Sequence, residues 1–146
     1  DVDLIMILIC ALALGDALIT SGTAEVITSR FIDLLKPFGT IGLLTGIFLF
    51  TVLLTSFITN PAAVALMFPI TYTLAHDLGV DGTPFYLAVT YAASAAFMTP
   101  FGYQTNLMVY GPGGYTFADY LRIGTPLTLI YSFVCIFFII FRYNLL

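Results

Sequence analysis

The sequence predicts an all-α membrane protein, and three observations predict it: a side-chain inventory too apolar to face water, apolar runs near the length of a membrane span, and prolines and polar residues that interrupt those runs. Of the 146 residues, 60% are hydrophobic and 8% charged, where a soluble domain carries about a quarter charged side chains. Mean hydropathy is +1.07. Four basic and eight acidic side chains cannot cover a core of this size, so lipid must cover it instead. The length holds roughly four to six crossing or re-entrant helices at about 20 residues each. The net charge of -4 argues against nucleic acid as a partner and leaves the sign of any small ligand to local geometry.

Taken in order, residues 1–22 are expected to form a transmembrane helix around the apolar run 4–15. The chain opens at Asp1 and enters that run without a basic leader, so it reads as an excised piece of something longer. Residues 23–36 change pattern: Val26, Ile27, Phe31, Leu34 and Leu35 recur at helical spacing, with Glu25, Arg30 and Asp33 between them. That predicts an amphipathic helix at the membrane surface, ended by Lys36 and Pro37, with an aqueous connector helix as the alternative. The runs 41–58 and 62–75 are separated by hardly any polar linker and predict a re-entrant hairpin over 41–75. Turn chemistry makes 76–84 an aqueous loop, and 111–114 another. Residues 85–111 predict a discontinuous helix, and 125–143 the last transmembrane helix. Apart from 41–58, the runs are short or broken by Asp16, Pro69 or Pro100, the pattern of transporters with discontinuous helices. Such proteins have more spans than this chain can supply.

Two places carry chemistry. In Thr55-Ser56-Phe57-Ile58-Thr59-Asn60-Pro61-Ala62-Ala63, Asn60 is a strong N-cap and Pro61 suits the first helical position, so the second hairpin arm is expected to start at Pro61. A helix start in a low-dielectric layer presents unpaired N–H groups and a positive dipole end, which attract an anion. An ordinary polar turn between two spans is the alternative, and the position within the apolar register favours a site. In the second place, 97–110, Pro100 disrupts the preceding helix, Gly102 permits irregular backbone, and Thr105 or Asn106 can cap a new half-helix. Free carbonyls at such a break are natural Na+ ligands, with a merely kinked helix as the alternative. Neither place has a basic side chain. Carbonyl and amide oxygens suit a cation there, and N–H groups and hydroxyls an anion.

Other candidates carry less. Asp16 falls near the end of its segment and is expected to be interfacial. His76 has no second His or Cys nearby, so no transition-metal site is expected. The glycines at 111–114 lack the Lys and Ser or Thr of a phosphate loop. Cys10 and Cys135 lie in apolar runs, where packing is the default role. No pairing of nucleophile and base is evident, and no enzyme is expected.

At these motifs the chain resembles the divalent-anion:sodium symporter family of the ion transporter superfamily. The likeness covers nearly the whole chain: Ala17-Leu18-Ile19-Thr20-Ser21-Gly22, Thr59-Asn60 with Phe68-Pro69-Ile70, and above all 100–115 followed by Asp119-Tyr120-Leu121-Arg122-Ile123-Gly124-Thr125-Pro126-Leu127. It implies one half of an inverted-repeat transporter, the carboxy-terminal one, whose partners are the amino-terminal half, the lipid bilayer of a plasma or cell membrane, and a second copy in a homodimer. It implies substrate contacts from Thr59, Asn60, Pro61, Ala62, Thr105 and Asn106, and Na+ contacts from Thr59, Asn60, Pro100, Gly102, Thr105 and Asn106. Na+ is the implied coupling ion. Two departures bear on the anion. Pro61 stands where dicarboxylate carriers of the family have Thr, and Tyr103-Gln104-Thr105 where they usually have Thr-Pro-Pro. Gly102-Tyr103-Gln104-Thr105-Asn106 is similar to the branch often fused to potassium-uptake-type regulatory domains, which includes sulfate transporters. The function implied is Na+-coupled sulfate symport by elevator-like alternating access. A dicarboxylate or other oxyanion symporter, an anion-selective channel and a membrane-embedded enzyme are the competing classes. Arg30, Lys36 and Arg142 would place the open end of the hairpin in the cytoplasm by the positive-inside rule; the resemblance implies the outside, and that orientation is adopted.

Overall fold

The computed structural model describes residues 33–145 and, ahead of them, Ala13, Ala17, 20–23, Val26 and Arg30. Most of the expected helix 1–22, half of the amphipathic stretch 23–36, Asp16 and Cys10 lie outside the described residues. Within them every regular element is helical. A 3-10 turn, Lys36–Phe38, leads into α1, Gly39–Thr55; α2, Asn60–Leu78, α3, Thr83–Ala93, α4, Gln104–Tyr110, and α5, Phe117–Tyr143, follow.

α1 has almost no polar side chain beyond threonine, and the threonine at Thr51 returns its hydroxyl to the Ile47 carbonyl at 2.7 Å. Leu44, Ile47, Phe48, Thr51 and Thr55 recur at helical spacing on one buried face, while Leu49 and Leu53 lie exposed on another. An apolar exposed face on an apolar buried one suits lipid, not water. The helix ends at Ser56, whose hydroxyl donates back to the Val52 carbonyl at 2.8 Å, and residues 56–59 make the turn.

α2 begins one residue earlier than its sequence suggests. Thr59, with extended backbone, holds the N-cap position, and Asn60 and Pro61 are the first two helical residues; the Asn60 side chain does not cap. The reason is a better partner behind it, described below. Pro69 does not break α2, and Pro126 does not break α5. Each proline removes one backbone donor, and in an apolar layer the helix that continues around it satisfies more groups than one that stops. α2 runs on to Leu78, so His76 and Asp77 belong to its last turn and the aqueous loop shrinks to 79–82. Gly79, at φ 63, closes the helix with Gly79 N donating to His76 O and Val80 N to Ala75 O, a left-handed cap that glycine takes without strain. In that loop the Asp81 carboxylate accepts from Thr83 N at 2.9 Å and Thr83 Oγ1 at 2.7 Å, which holds its pKa below the usual carboxylate value.

α3 sits against α1, α2 and α5. Its inward face is small: Ala88, Ala92 and, just past its end, Ala95 are fully buried, with Phe85 and Val89 beside them. Small side chains let helix backbones approach closely where no water drives them together. α5 is 27 residues long, with mean hydropathy 2.2 over its most apolar 18 residues, of which 22% are buried. It is the one described helix long and apolar enough to cross a membrane by length and composition. It starts at Phe117, eight residues before the expected 125, because Thr116 and Asp119 form a capping box: Thr116 N donates to Asp119 Oδ2 at 2.8 Å and Asp119 N to Thr116 Oγ1 at 3.4 Å. Phe133, Phe137 and Phe141 stack along its exposed side with successive ring centroids 6.3 Å apart.

Where α5 crosses the chain beyond α3, Gly124 is buried, and a Cβ there would stand 2.1 Å from the Phe97 carbonyl oxygen and 2.8 Å from Met98 Cα. Gly124→Ala is therefore expected to destabilise the full-length protein by about 1 to 3 kcal/mol, read as a lower Tm of the detergent-solubilised protein. Gly111→Ala, at a position with nothing within 4 Å, is expected to leave Tm unchanged.

Candidate functional site

Two helix interruptions meet in this fold. One is the turn 56–59 between α1 and α2. The other is the segment 94–103 between α3 and α4, which begins at Ser94, well ahead of Pro100. Helical bonding lapses at the Ala93 carbonyl: Phe97 N, which a continued helix would aim at it, donates to Ala95 O instead, and the carbonyl lies 2.8 Å from Thr55 Oγ1. Proline at 100 only keeps the helix from resuming.

The two interruptions are joined by side chains on backbone. Thr99, buried, donates its hydroxyl to the Ser56 carbonyl at the hairpin turn, and Gly102 N reaches Thr99 Oγ1 at 3.4 Å. Gly102 itself is buried so close to the turn that a Cβ would lie 2.1 Å from the Thr55 carbonyl oxygen. Only glycine allows that approach. Asn106, inside α4, donates through Nδ2 to the Ala96 carbonyl at 2.9 Å and the Thr99 carbonyl at 3.3 Å, both in the interruption before it. From the other side the Tyr120 hydroxyl donates to the Asn106 main-chain carbonyl at 2.9 Å and ties α4 to α5.

Between the interruptions lies a cleft of about 340 Å³ lined by Asn60, Ser94, Ala96, Phe97, Tyr103 and Asn106. The fold thus brings Asn60 and Asn106, both expected site residues, to one cavity. Of the other expected residues, Thr59, Pro61 and Thr105 are exposed, Ala62 is half-buried, and Pro100 and Gly102 are buried; none of them lines the cleft. Thr105 and Asn106 do not cap α4, whose N-cap is Tyr103. Sequence reasoning missed Thr55, Thr99, Ser94 and Tyr103. The available signal was polarity inside an apolar run: Thr55, Ser94 and Thr99 each stand among Leu, Ala, Phe and Met. No Asp, Glu, Lys, Arg or His occurs in 55–62 or 94–106, so an ion there would be stabilised by dipoles and oxygen atoms alone. Among the described residues no three His, Cys, Asp or Glu side chains group as a metal site.

A second hollow of about 300 Å³ sits behind Asn106, lined mainly by Phe97, Val109, Tyr115, Tyr120, Ile123 and Leu127. Its walls are largely apolar, and Tyr115 and Tyr110 pack on Tyr120 with centroids 6.1 and 5.9 Å apart.

Comparison with known sequences gives the family of the chain. The family described as "Citrate transporter" matches residues 1–146, the whole chain. The chain belongs to the citrate transporter family. That is a family of transporters, not of enzymes. Relatives within reach of this citrate transporter family chain include an uncharacterized transporter of Synechocystis, 46% identical over 88% of the chain and 21% of the relative. An uncharacterized transporter of Escherichia coli is 34% identical over 90% of the chain and 22% of the relative. Sodium/sulfate cotransporter 1 of Chlamydomonas reinhardtii is 33% identical over 96% of the chain and 16% of the relative. The chain thus spans about a fifth of the length of such relatives. No solved structure matches.

In the full-length transporter, Gly102→Ala is expected to push the hairpin turn off the second interruption and lower solute uptake about tenfold or more, at unchanged membrane insertion. Uptake per inserted molecule in proteoliposomes measures it.

Proposed function

We propose that the full-length protein is a Na+-coupled symporter that carries sulfate across a cell membrane by alternating access, and that this chain is its carboxy-terminal half. The observation that carries this reading is the meeting of Asn60 and Asn106, from two separate helix interruptions, on one cleft without a charged side chain. Uncharged oxygen donors at an irregular backbone are the usual means of holding Na+ at membrane depth, and a helix start beside them is the usual means of holding an anion. In this chain the cation is held by the amide oxygens of Asn60 and Asn106 and the free carbonyls of the 94–103 segment, with Pro100 and Gly102 shaping that backbone. The anion is held at the start of α2 by Thr59, Asn60 and Ala62, with Thr105 on the facing half-helix; Pro61 offers it no N–H.

Na+ binding first lowers the cost of bringing a dianion beside that cleft, since opposite unit charges about 4 Å apart attract by about 4 kcal/mol at the effective dielectric of a protein near its surface, and a dianion carries two such charges. The amino-terminal half supplies the other wall of the site, and the loaded unit moves against a scaffold that pairs with its copy in a homodimer. The sodium/sulfate relative supports sulfate as cargo. The description of the family itself favours a second cargo, an organic polycarboxylate such as citrate.

Uptake of radiolabelled sulfate, citrate and succinate by the full-length protein in proteoliposomes separates these. An inward Na+ gradient is expected to stimulate sulfate uptake about tenfold or more. Citrate uptake without sulfate uptake establishes the second cargo, and sulfate flux indifferent to Na+ points to a channel and ends the symport reading. Asn60→Ala and Asn106→Ala are each expected to cut Na+-driven uptake about tenfold; wild-type uptake in both would dismiss the site.

A further inference from the structure

At the hairpin turn one hydroxyl stands between two acceptors. Thr55 is fully buried, and its Oγ1 lies 2.8 Å from Asn60 Oδ1 and 2.8 Å from the Ala93 carbonyl oxygen. A threonine hydroxyl has one proton to donate, although it can accept from others. While an oxygen of Asn60 faces Thr55, one of these two oxygens goes without a hydrogen bond. The Ala93 carbonyl has the stronger claim. It ends α3, and the N–H that a continued helix would aim at it, Phe97 N, donates to Ala95 O instead. Ala93 is buried, and a buried carbonyl without a donor forfeits the bond water would have made.

We propose that Thr55 is a positioning residue for the site: its hydroxyl donates to the Ala93 carbonyl and accepts from Asn60 Nδ2, which turns the Asn60 amide so that Oδ1 is the atom left to the cleft. The oxygen and nitrogen of a side-chain amide have nearly the same shape, and the bonding network decides which is which. Exchanging them keeps both 2.8 Å contacts and satisfies Thr55, Ala93 and Asn60 together. It also decides what the cleft presents. Asn106 already uses Nδ2 on the Ala96 and Thr99 carbonyls, which leaves its Oδ1. With Asn60 turned, both amides offer oxygen, and the cleft suits a cation. With Asn60 unturned, it would offer one N–H beside one oxygen and discriminate poorly between the signs of charge. The inference rests on the Na+ reading above and names the residue that gives the site its sign.

The test is binding of radioactive sodium to the purified full-length protein, paired with sulfate uptake at varied Na+, for wild type, Thr55→Val and Thr55→Ser. Valine removes the hydroxyl at nearly constant volume, and serine keeps it. Thr55→Val is expected to raise the Kd for Na+ about tenfold or more and the half-saturating Na+ of uptake with it, while maximal uptake at saturating Na+ stays near wild type. Thr55→Ser is expected within about twofold of wild type. Wild-type affinity in Thr55→Val, or an equal loss in Thr55→Ser, overturns the proposal. Should Thr55→Val not yield monodisperse protein, Thr55→Ser decides alone, since a tenfold loss there overturns the proposal and wild-type affinity supports it. Wild-type protein that binds no sodium ends the Na+ reading, and the positioning role falls with it.

Discussion

Backbone groups that lose their helical partners in an apolar layer must find hydrogen bonds within the protein, because lipid offers none. The two interruptions of this chain meet that demand for each other. Thr99, from the segment after α3, donates to the Ser56 carbonyl in the turn after α1, and Thr55, at the end of α1, reaches the Ala93 carbonyl at the end of α3. Neither interruption is self-sufficient. The contact between them also fixes where α3 stops, brings Asn60 and Asn106 to one cleft, and makes glycine obligatory at 102, where the two backbones touch.

The helices around this contact are arranged to permit it. α3 presents alanines inward, so α1, α2 and α5 close on it tightly enough for side chains as short as threonine to span the gap. α5 adds a second glycine contact at Gly124, against the Phe97 and Met98 backbone, and holds α4 through the Tyr120 hydroxyl on Asn106. α4 has no buried residue of its own. Its placement depends on those two hydrogen-bonded anchors, the Asn106 side chain in front and Tyr120 behind. Thr128 and Ser132, buried on the inner side of α5, have hydroxyls without a partner among the described residues.

Sequence alone made the helical class, the apolar runs and the two interrupted places legible, because those follow from composition and from polar residues out of register. The limits of the elements followed from contacts that no local pattern records. Asn60 has the chemistry of an N-cap, yet its side chain turns back to Thr55 and leaves Thr59 in that position. Pro100 looked like the end of α3, which in fact ends at Ala93, where a distant threonine takes over a carbonyl. Pro69 and Pro126 stand in apolar runs as Pro100 does, yet both lie inside continuous helices. Thr55 and Thr99 were overlooked for the same reason: a threonine in an apolar run usually bonds its own helix, as Thr51 and Thr71 do.

The absence of Asp, Glu, Lys, Arg and His from 55–62 and 94–106 has an electrical consequence. A charge moved through the membrane potential gains or loses about 2.3 kcal/mol per 100 mV, and these two segments contribute no charge of their own. Any charge that moves with them comes from a bound ion or from another part of the protein. With a dianion as cargo, two accompanying sodium ions would leave the loaded site without net charge, and a third would give it one positive charge on which the voltage can act.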